Sequence, residues 1–161
     1  MKQLLLVGLG SNVGDREIKI REAVSLIQTT EIKLLALSPI YQSEPWGVDH
    51  DMPYLNAVAA FATSIESTSI LAHLQTIETK MGRTSNSDLK PRTIDLDILG
   101  LGNQVLVTPE FQIPHPRMEL RKFVLLPLSD ICPGWIHPVS GKKQKQMLED
   151  CKDAGWINIW K

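Results

Sequence analysis

The segment PRTIDLDIL, residues 91–99, sets two aspartates, Asp95 and Asp97, inside a run that otherwise reads as a buried strand. Side chains alternate across a strand, so Thr93, Asp95 and Asp97 share one face while Ile94, Leu96 and Ile98 share the other. The Cα atoms of such a pair lie roughly 6–7 Å apart, where like charges repel by about 2–3 kcal/mol at an effective dielectric near 20. A cation held between them reverses that sign. By themselves the two carboxylates equally suit the solvated face of an edge strand, and it is their neighbours that favour a site. Arg83, Lys90 and Arg92 precede them, and His115, Arg117, Arg121 and Lys122 follow in one short segment. Mg²⁺ takes one or two hard carboxylate ligands and completes its shell with water and phosphate oxygens. Arginines grip other phosphate oxygens through charge-assisted, often bidentate bonds. Carboxylates with scattered arginines form an inventory for phosphoryl transfer.

Other residues leave two readings open. His115, pinned between prolines in IPHP, is a turn histidine or a ligand. Asn56, near the head of an apolar strand, is a satisfied structural amide or a fork that reads the donor and acceptor edge of a heterocycle. Trp46, Tyr54 and Phe123 are core residues or stacking platforms. The run KKQK (142–145) reads as a solvated face. GLGSNVG, near the start, is glycine-rich without being a dinucleotide fingerprint, because the third glycine would fall on Val13. It reads as a tight strand-to-helix turn, and the chain has no Walker A sequence.

Positioning such groups takes a core, and 161 residues of which 43% are hydrophobic can bury one, so a single domain over 1–161 is expected. With 17 Lys+Arg against 18 Asp+Glu there is no global basic field to hold nucleic acid, and an anionic partner must be met locally. Cys132 and Cys151 make neither a disulfide framework nor a metal-ligand spacing, which suits a reduced chain. The first apolar run is too short for a signal segment, and no stretch approaches a membrane span. A soluble cytoplasmic protein without membrane or nucleic-acid partners is the expectation.

Periodicity supplies the elements. An apolar strand ends at Gly8 and Gly10; a helix over about 15–28 follows, capped by Asp15 and striped by Ile20, Ala23, Val24 and Ile27. Segments 32–43 and 56–64 read as strands joined by a loop bearing proline and glycine, and the second alternates Val58, Ala60 and Ala62 on one face. A second helix starts at Ser67 as cap, carries Ile70, Leu71, Leu74, Ile77 and Met81, and ends at Gly82. The strand with the aspartates comes next, and Gly102-Asn103 turns it back into QVLV. The order βαββαβ is ferredoxin-like, an α/β (α+β) fold with two helices on one face of an antiparallel sheet. The other face is then left for the remaining chain, including a helix near 143–152, to cover in part.

Taken together, GLGSNVGDR, SPIYQSEPWG with YLNAV, IETKMGR, PRTIDLDIL, and IPHP followed by LRKFVLLPL resemble the 6-hydroxymethyl-7,8-dihydropterin pyrophosphokinases of the folate pathway. The resemblance runs in order from about residue 4 to 133. It implies a monomeric ferredoxin-like enzyme that transfers pyrophosphate from MgATP to the pterin hydroxymethyl group and releases AMP. It also implies two Mg²⁺ ions on Asp95 and Asp97. Gln75, Glu78, Arg83, Arg92, Ile98, His115 and Arg121 then fall on the nucleotide side, with Arg83, Arg92 and Arg121 serving the chemistry. Ser43, Trp46, Tyr54, Asn56 and Phe123 fall on the pterin side, where Tyr54 and Phe123 would sandwich the ring.

One segment departs from the family pattern. GRTSNSDLKPRT places Ser85 where a second arginine often stands and lacks a tryptophan before PRT. The loop 84–90 is expected to be mobile without ligand and to order over the triphosphate, with Lys90 taking part of the missing arginine's task. Two rival classes would share the fold: a relative acting on a different alcohol, and a ligand-binding domain without catalysis.

Overall fold

Apolar residues carry β1 (Gln3–Ser11) straight through Gly8 and Gly10, so the expected turn falls later, at Gly14, whose φ of 69° is left-handed. The computed structural model describes residues 1–44, 52–82 and 93–161. Asp15 caps α1 (Arg16–Ile27) as expected, accepting the Ile18 N–H at 3.2 Å, and the stripe of Ile20, Ala23, Val24 and Ile27 is buried.

Segment 32–43, read above as one strand, is two: β2 (Ile32–Leu37) and β3 (Tyr41–Ser43). Pro39 has no N–H to give a ladder. Ser38 bridges the break instead. Its N–H donates to the Val58 carbonyl at 2.9 Å, and its hydroxyl accepts the Val58 N–H at 2.9 Å while donating to the Pro39 carbonyl at 2.8 Å. The strand β4 (Tyr54–Thr63) therefore keeps its pairing along both edges. It lies antiparallel to β1, to β2 at one end and to β3 at the other.

α2 (Ser67–Lys80) buries Ile70, Leu74 and Ile77, and Gly82 follows it at φ 96°. Ser67 is not the cap. Glu66 holds that position without a side-chain bond, and Ser67 is the first helical residue, buried at 8% exposure. β5 (Asp95–Leu101) then pairs with β1, giving the sheet order β5-β1-β4-β2 of a ferredoxin-like core. The turn at Gly102 is present, with φ 54°, but the chain does not return along β5. β6 (Leu106–Val107) pairs with β7 (Gln112–Ile113) in a separate two-stranded sheet, and beyond it the His115 N–H takes the Leu99 carbonyl at 3.0 Å.

After a 3-10 turn at Met118–Leu120 come α3 (Lys122–Ile131), α4 (Gln144–Asp150) and β8 (Ile157–Ile159), which pairs with β3. No helix is placed over 122–131 above; α3 forms there with Pro127 inside it and covers the second face of the sheet. Its Val124 and Leu128, with Met118, pack on Leu6, Val58, Ala60 and Leu99. Gln144 corrects the reading of KKQK as a solvated face, since it is only 1% exposed; Lys142 pairs with Asp150 at 2.9 Å. Among the described residues, no helix is long and apolar enough to cross a membrane.

The pairing of β5 changes phase within the strand. Val7 opposes Ile98 but Leu6 opposes Gly100, which leaves Leu99 as an extra residue. A bulge of this kind resets the alternation. Before it, Leu96 and Ile98 join the core under α1 and α2; at it, Leu99 belongs to the cluster under α3; after it, Leu101 returns to the first core.

Ser38 gives the fold its first test. Ser38→Ala leaves the Val58 N–H without its acceptor between two paired strands, and urea unfolding should show a loss of about 1–3 kcal/mol. A loss below a few tenths would mean that the bridge between β2 and β3 is dispensable.

Candidate active site

Directly opposed residues of an antiparallel pair point to the same face. The register therefore writes a row across the second sheet face: Asp95 on β5, Gly10 on β1, Asn56 on β4 and Tyr41 on β3. The next row is Asp97, Gly8 and Val58. Strand spacing is about 4.8 Å, so carboxylates and amide stand roughly 10 Å apart with only glycine backbone between them. A Cβ on Gly10 would lie 3.2 Å from Asn56 Oδ1 and 3.7 Å from Tyr54 Cδ1, while one on Gly8 would meet Leu99 at 3.4 Å. The glycines form the floor of a groove. Their place in GLGSNVG reads as a turn in the sequence, and only the pairing of β1 with β5 sets them opposite the two aspartates.

One wall is β5. Asp95 and Asp97 are partly exposed on the groove face, and Ile94, Leu96 and Ile98 are buried behind them, as the alternation requires. Glu78 fixes the strand between the two aspartates by accepting the Leu96 N–H at 2.9 Å. Its carboxylate thus ties α2 to β5. Ile98 packs in the core under α1 and α2, so its side chain does not enter the groove, and Gln75 is exposed on α2.

His115 stands at the same end. Burial, then the guanidiniums of Arg121 and Arg117, push its pKa down to about 4 against the opposing pull of Asp95. Its Nδ1 accepts the Arg117 N–H at 3.1 Å, a bond that a proton on that nitrogen would break. Arg121 is the N-cap residue of α3, and its guanidinium carbon lies 5.5 Å from the centre of the Phe123 ring. His115 after β7, Asp95 on β5, and Arg121 with Phe123 at the start of α3 thus converge.

The other wall is polar and buried. Asn56 donates through Nδ2 to Ser43 Oγ at 2.7 Å, with both residues about 5% exposed or less, and Tyr54 flanks them. Beside Asn56, the Tyr41 hydroxyl donates to Asp130 of α3. Burial first, then that bond and the carboxylate's charge, push the phenol up to about 12. Trp46, Arg83, Lys90, Arg92 and the loop 84–90 lie outside the described residues.

Among the described residues, no three or more His, Cys, Asp or Glu side chains gather as a metal site. Two partly exposed carboxylates on one face still fit Mg²⁺, which draws its remaining ligands from water and phosphate. The groove so defined belongs to a ferredoxin-like protein with carboxylates and a partly buried histidine and arginine on one side and an amide on the other. Residues 6–133 match the family model for 7,8-dihydro-6-hydroxymethylpterin-pyrophosphokinase, and the chain belongs to that family. It is a pyrophosphokinase, and the reaction of its family is pyrophosphoryl transfer from MgATP in folate biosynthesis.

The 2-amino-4-hydroxy-6-hydroxymethyldihydropteridine pyrophosphokinase of Porphyromonas gingivalis is 42% identical over 139 residues, covering 84% of this chain and 94% of that protein. The Bacillus subtilis protein of the same name is 35% identical over 162 residues, covering 100% and 92%. A crystal structure of wild-type HPPK-DHPS from Plasmodium falciparum shares the fold at a TM-score of 0.75 and 14% identity. That match covers 93% of this chain but only 43% of the longer solved one.

The lowered His115 value has a direct check. Its ring resonances in the magnesium-free protein should titrate near pH 4 by NMR. The unfolded chain binds that proton near pH 6.5, so the stability carried by neutral His115 is complete above 6.5 and is lost as pH falls through about 4. A midpoint above 6 would place the ring in solvent.

Proposed function

We propose that this chain transfers pyrophosphate from ATP to the hydroxymethyl group of 6-hydroxymethyl-7,8-dihydropterin, with the groove of Asp95, Gly10 and Asn56 as its active site. The observation that carries this reading is the register row that sets the Asp95 carboxylate and the Asn56 amide on either side of Gly10, with Asp97 and Gly8 in the next row. Asp95 and Asp97 hold two Mg²⁺ ions, which supply charge neutralisation on the triphosphate when bound. His115 and Arg121, with Arg83 and Arg92 from the remaining chain, meet phosphate oxygens; Gln75, Glu78 and the Ile98 backbone lie on the nucleotide side.

The pterin lies against Asn56 and Ser43, whose amide and hydroxyl offer hydrogen bonds to its polar edge, between the rings of Tyr54 and Phe123, with Trp46 nearby. That pose points the hydroxymethyl oxygen along the floor toward the carboxylate side. In-line attack at the β-phosphorus forms the new P–O bond and expels AMP. Arg121 stabilises the charge that develops on the transferring group, and His115, whose Nδ1 accepts the Arg117 N–H, donates a hydrogen bond through Nε2. The active unit is a cytoplasmic monomer over residues 1–161.

Incubation with ATP, Mg²⁺ and the hydroxymethyl dihydropterin should give AMP and the pterin diphosphate in equal amounts; stoichiometric ADP would remove this reading. Asp97→Ala should abolish turnover with little loss of melting temperature, because it relieves a like-charge pair while deleting a metal ligand.

The two sides of the groove should separate by mutation. Asn56→Ala should weaken pterin binding by the equivalent of about 1–3 kcal/mol and leave ATP affinity nearly unchanged. Arg121→Ala should instead lower turnover roughly 10²-fold. Equal damage by both changes to both substrates would merge the sides into one.

A further inference from the structure

The matched family region ends at residue 133, yet the chain beyond it returns to the groove. Asp153 accepts the Lys122 N–H through Oδ2 at 3.1 Å and the Gly155 N–H through Oδ1 at 2.9 Å. Lys122 opens α3 between Arg121 and Phe123, and α3 has no side-chain cap from its own N-cap residue. Asp153 supplies that anionic acceptor from a distant part of the sequence.

Three residues after Asp153, the Trp156 N–H donates to Glu44 Oε1 at 3.1 Å, and β8 pairs with β3 so that Ile157 opposes Ser43. Gly155 sits between the two carboxylates. A Cβ there would lie 2.5 Å from Glu44 Oε1 and 3.1 Å from Asp153 Oδ1, so no larger residue fits without moving one of them. At its other end β3 is joined to α3 by Tyr41 and Asp130.

We infer that Asp153 and Gly155 are positioning residues for the pterin side: the segment 153–157 ties the start of α3, which carries Phe123, to the strand that carries Ser43, and so sets the width of the slot between them. This rests on the pterin reading given above. Neither residue touches the ring. Each acts on a neighbour of one that does, through backbone N–H groups whose partners are all contributed by this segment and Glu44. Removing a tie lets the two walls drift apart, and the slot loses the ring contacts that depend on their separation.

The experiment is equilibrium titration, without turnover, of 6-hydroxymethyl-7,8-dihydropterin and, separately, of an ATP analogue with a methylene α,β-bridge plus Mg²⁺. Asp153→Ala and Gly155→Ala should each raise the pterin Kd about fivefold, the effect of one lost hydrogen bond, with the analogue's Kd within twofold of wild type. Asp153→Asn keeps one carbonyl acceptor and should recover part of the loss, which a general loosening of the fold would not reproduce. Should Asp153→Ala fail to fold, Asp153→Asn and Gly155→Ala decide the matter by the same two titrations. Unchanged pterin binding in folded variants, or equal weakening of both ligands, overturns the positioning role. If the wild-type protein itself binds no pterin, the failure belongs to the functional reading and not to the segment.

Discussion

Two negative charges on one face of a strand demand that the opposite face be held firmly, and much of the fold around β5 answers that demand. Ile94, Leu96 and Ile98 are driven into the core beneath α1 and α2, while the Glu78 carboxylate takes the Leu96 N–H between the aspartates. The strand cannot roll without exposing three large apolar side chains and breaking a bond to a charged acceptor. The bulge at Leu99 completes the arrangement. Alternation alone puts Leu99 on the face of Asp95 and Asp97, where it seals that face under α3, and the bulge then returns Leu101 to the core beneath α1 and α2.

That division of the second face into a wet half and a dry half explains the role of α3. A four-stranded ferredoxin-like sheet with helices on one side leaves its other side bare, and an apolar strip of Leu6, Val58, Ala60 and Leu99 needs cover. α3 covers it only so far as Phe123 and Arg121, where the apolar strip gives way to Gly8, Gly10 and Asn56. The groove is what remains when the cover stops. Arg121 and Phe123 sit at the start of α3, which is why small changes in how that helix begins can reach the site.

The sequence made the core legible where periodicity was clean. The stripes of α1 and α2 and the alternation about Asp95 appear as read, because a buried stripe has one geometric solution. It misled where a single residue changed the rule. Pro39 divides one apparent strand, and Ser38 keeps the sheet continuous through its N–H and its hydroxyl, the latter a bond that no local pattern announces. α3 holds Pro127 inside it, and the cost of proline in a helix is recovered there by packing that the local sequence does not show. The site residues were legible as types and spacings. Their assembly was not, because the register that aligns Asp95, Gly10, Asn56 and Tyr41 is a property of three strand pairings at once.

Gly8 and Gly10 carry a consequence for anyone who would make this enzyme hardier. Glycine inside a strand gives up roughly 0.5–1 kcal/mol relative to alanine, so a search for stabilising replacements would select these two positions early. Either replacement would place a methyl group in the groove, Gly10 against the Asn56 oxygen and Gly8 against Leu99. Robustness and turnover are therefore opposed at the middle of the sheet. Improvements compatible with catalysis must come from its periphery, such as the outer edge of β2, where Leu35 stands 60% exposed and borders nothing that the groove requires.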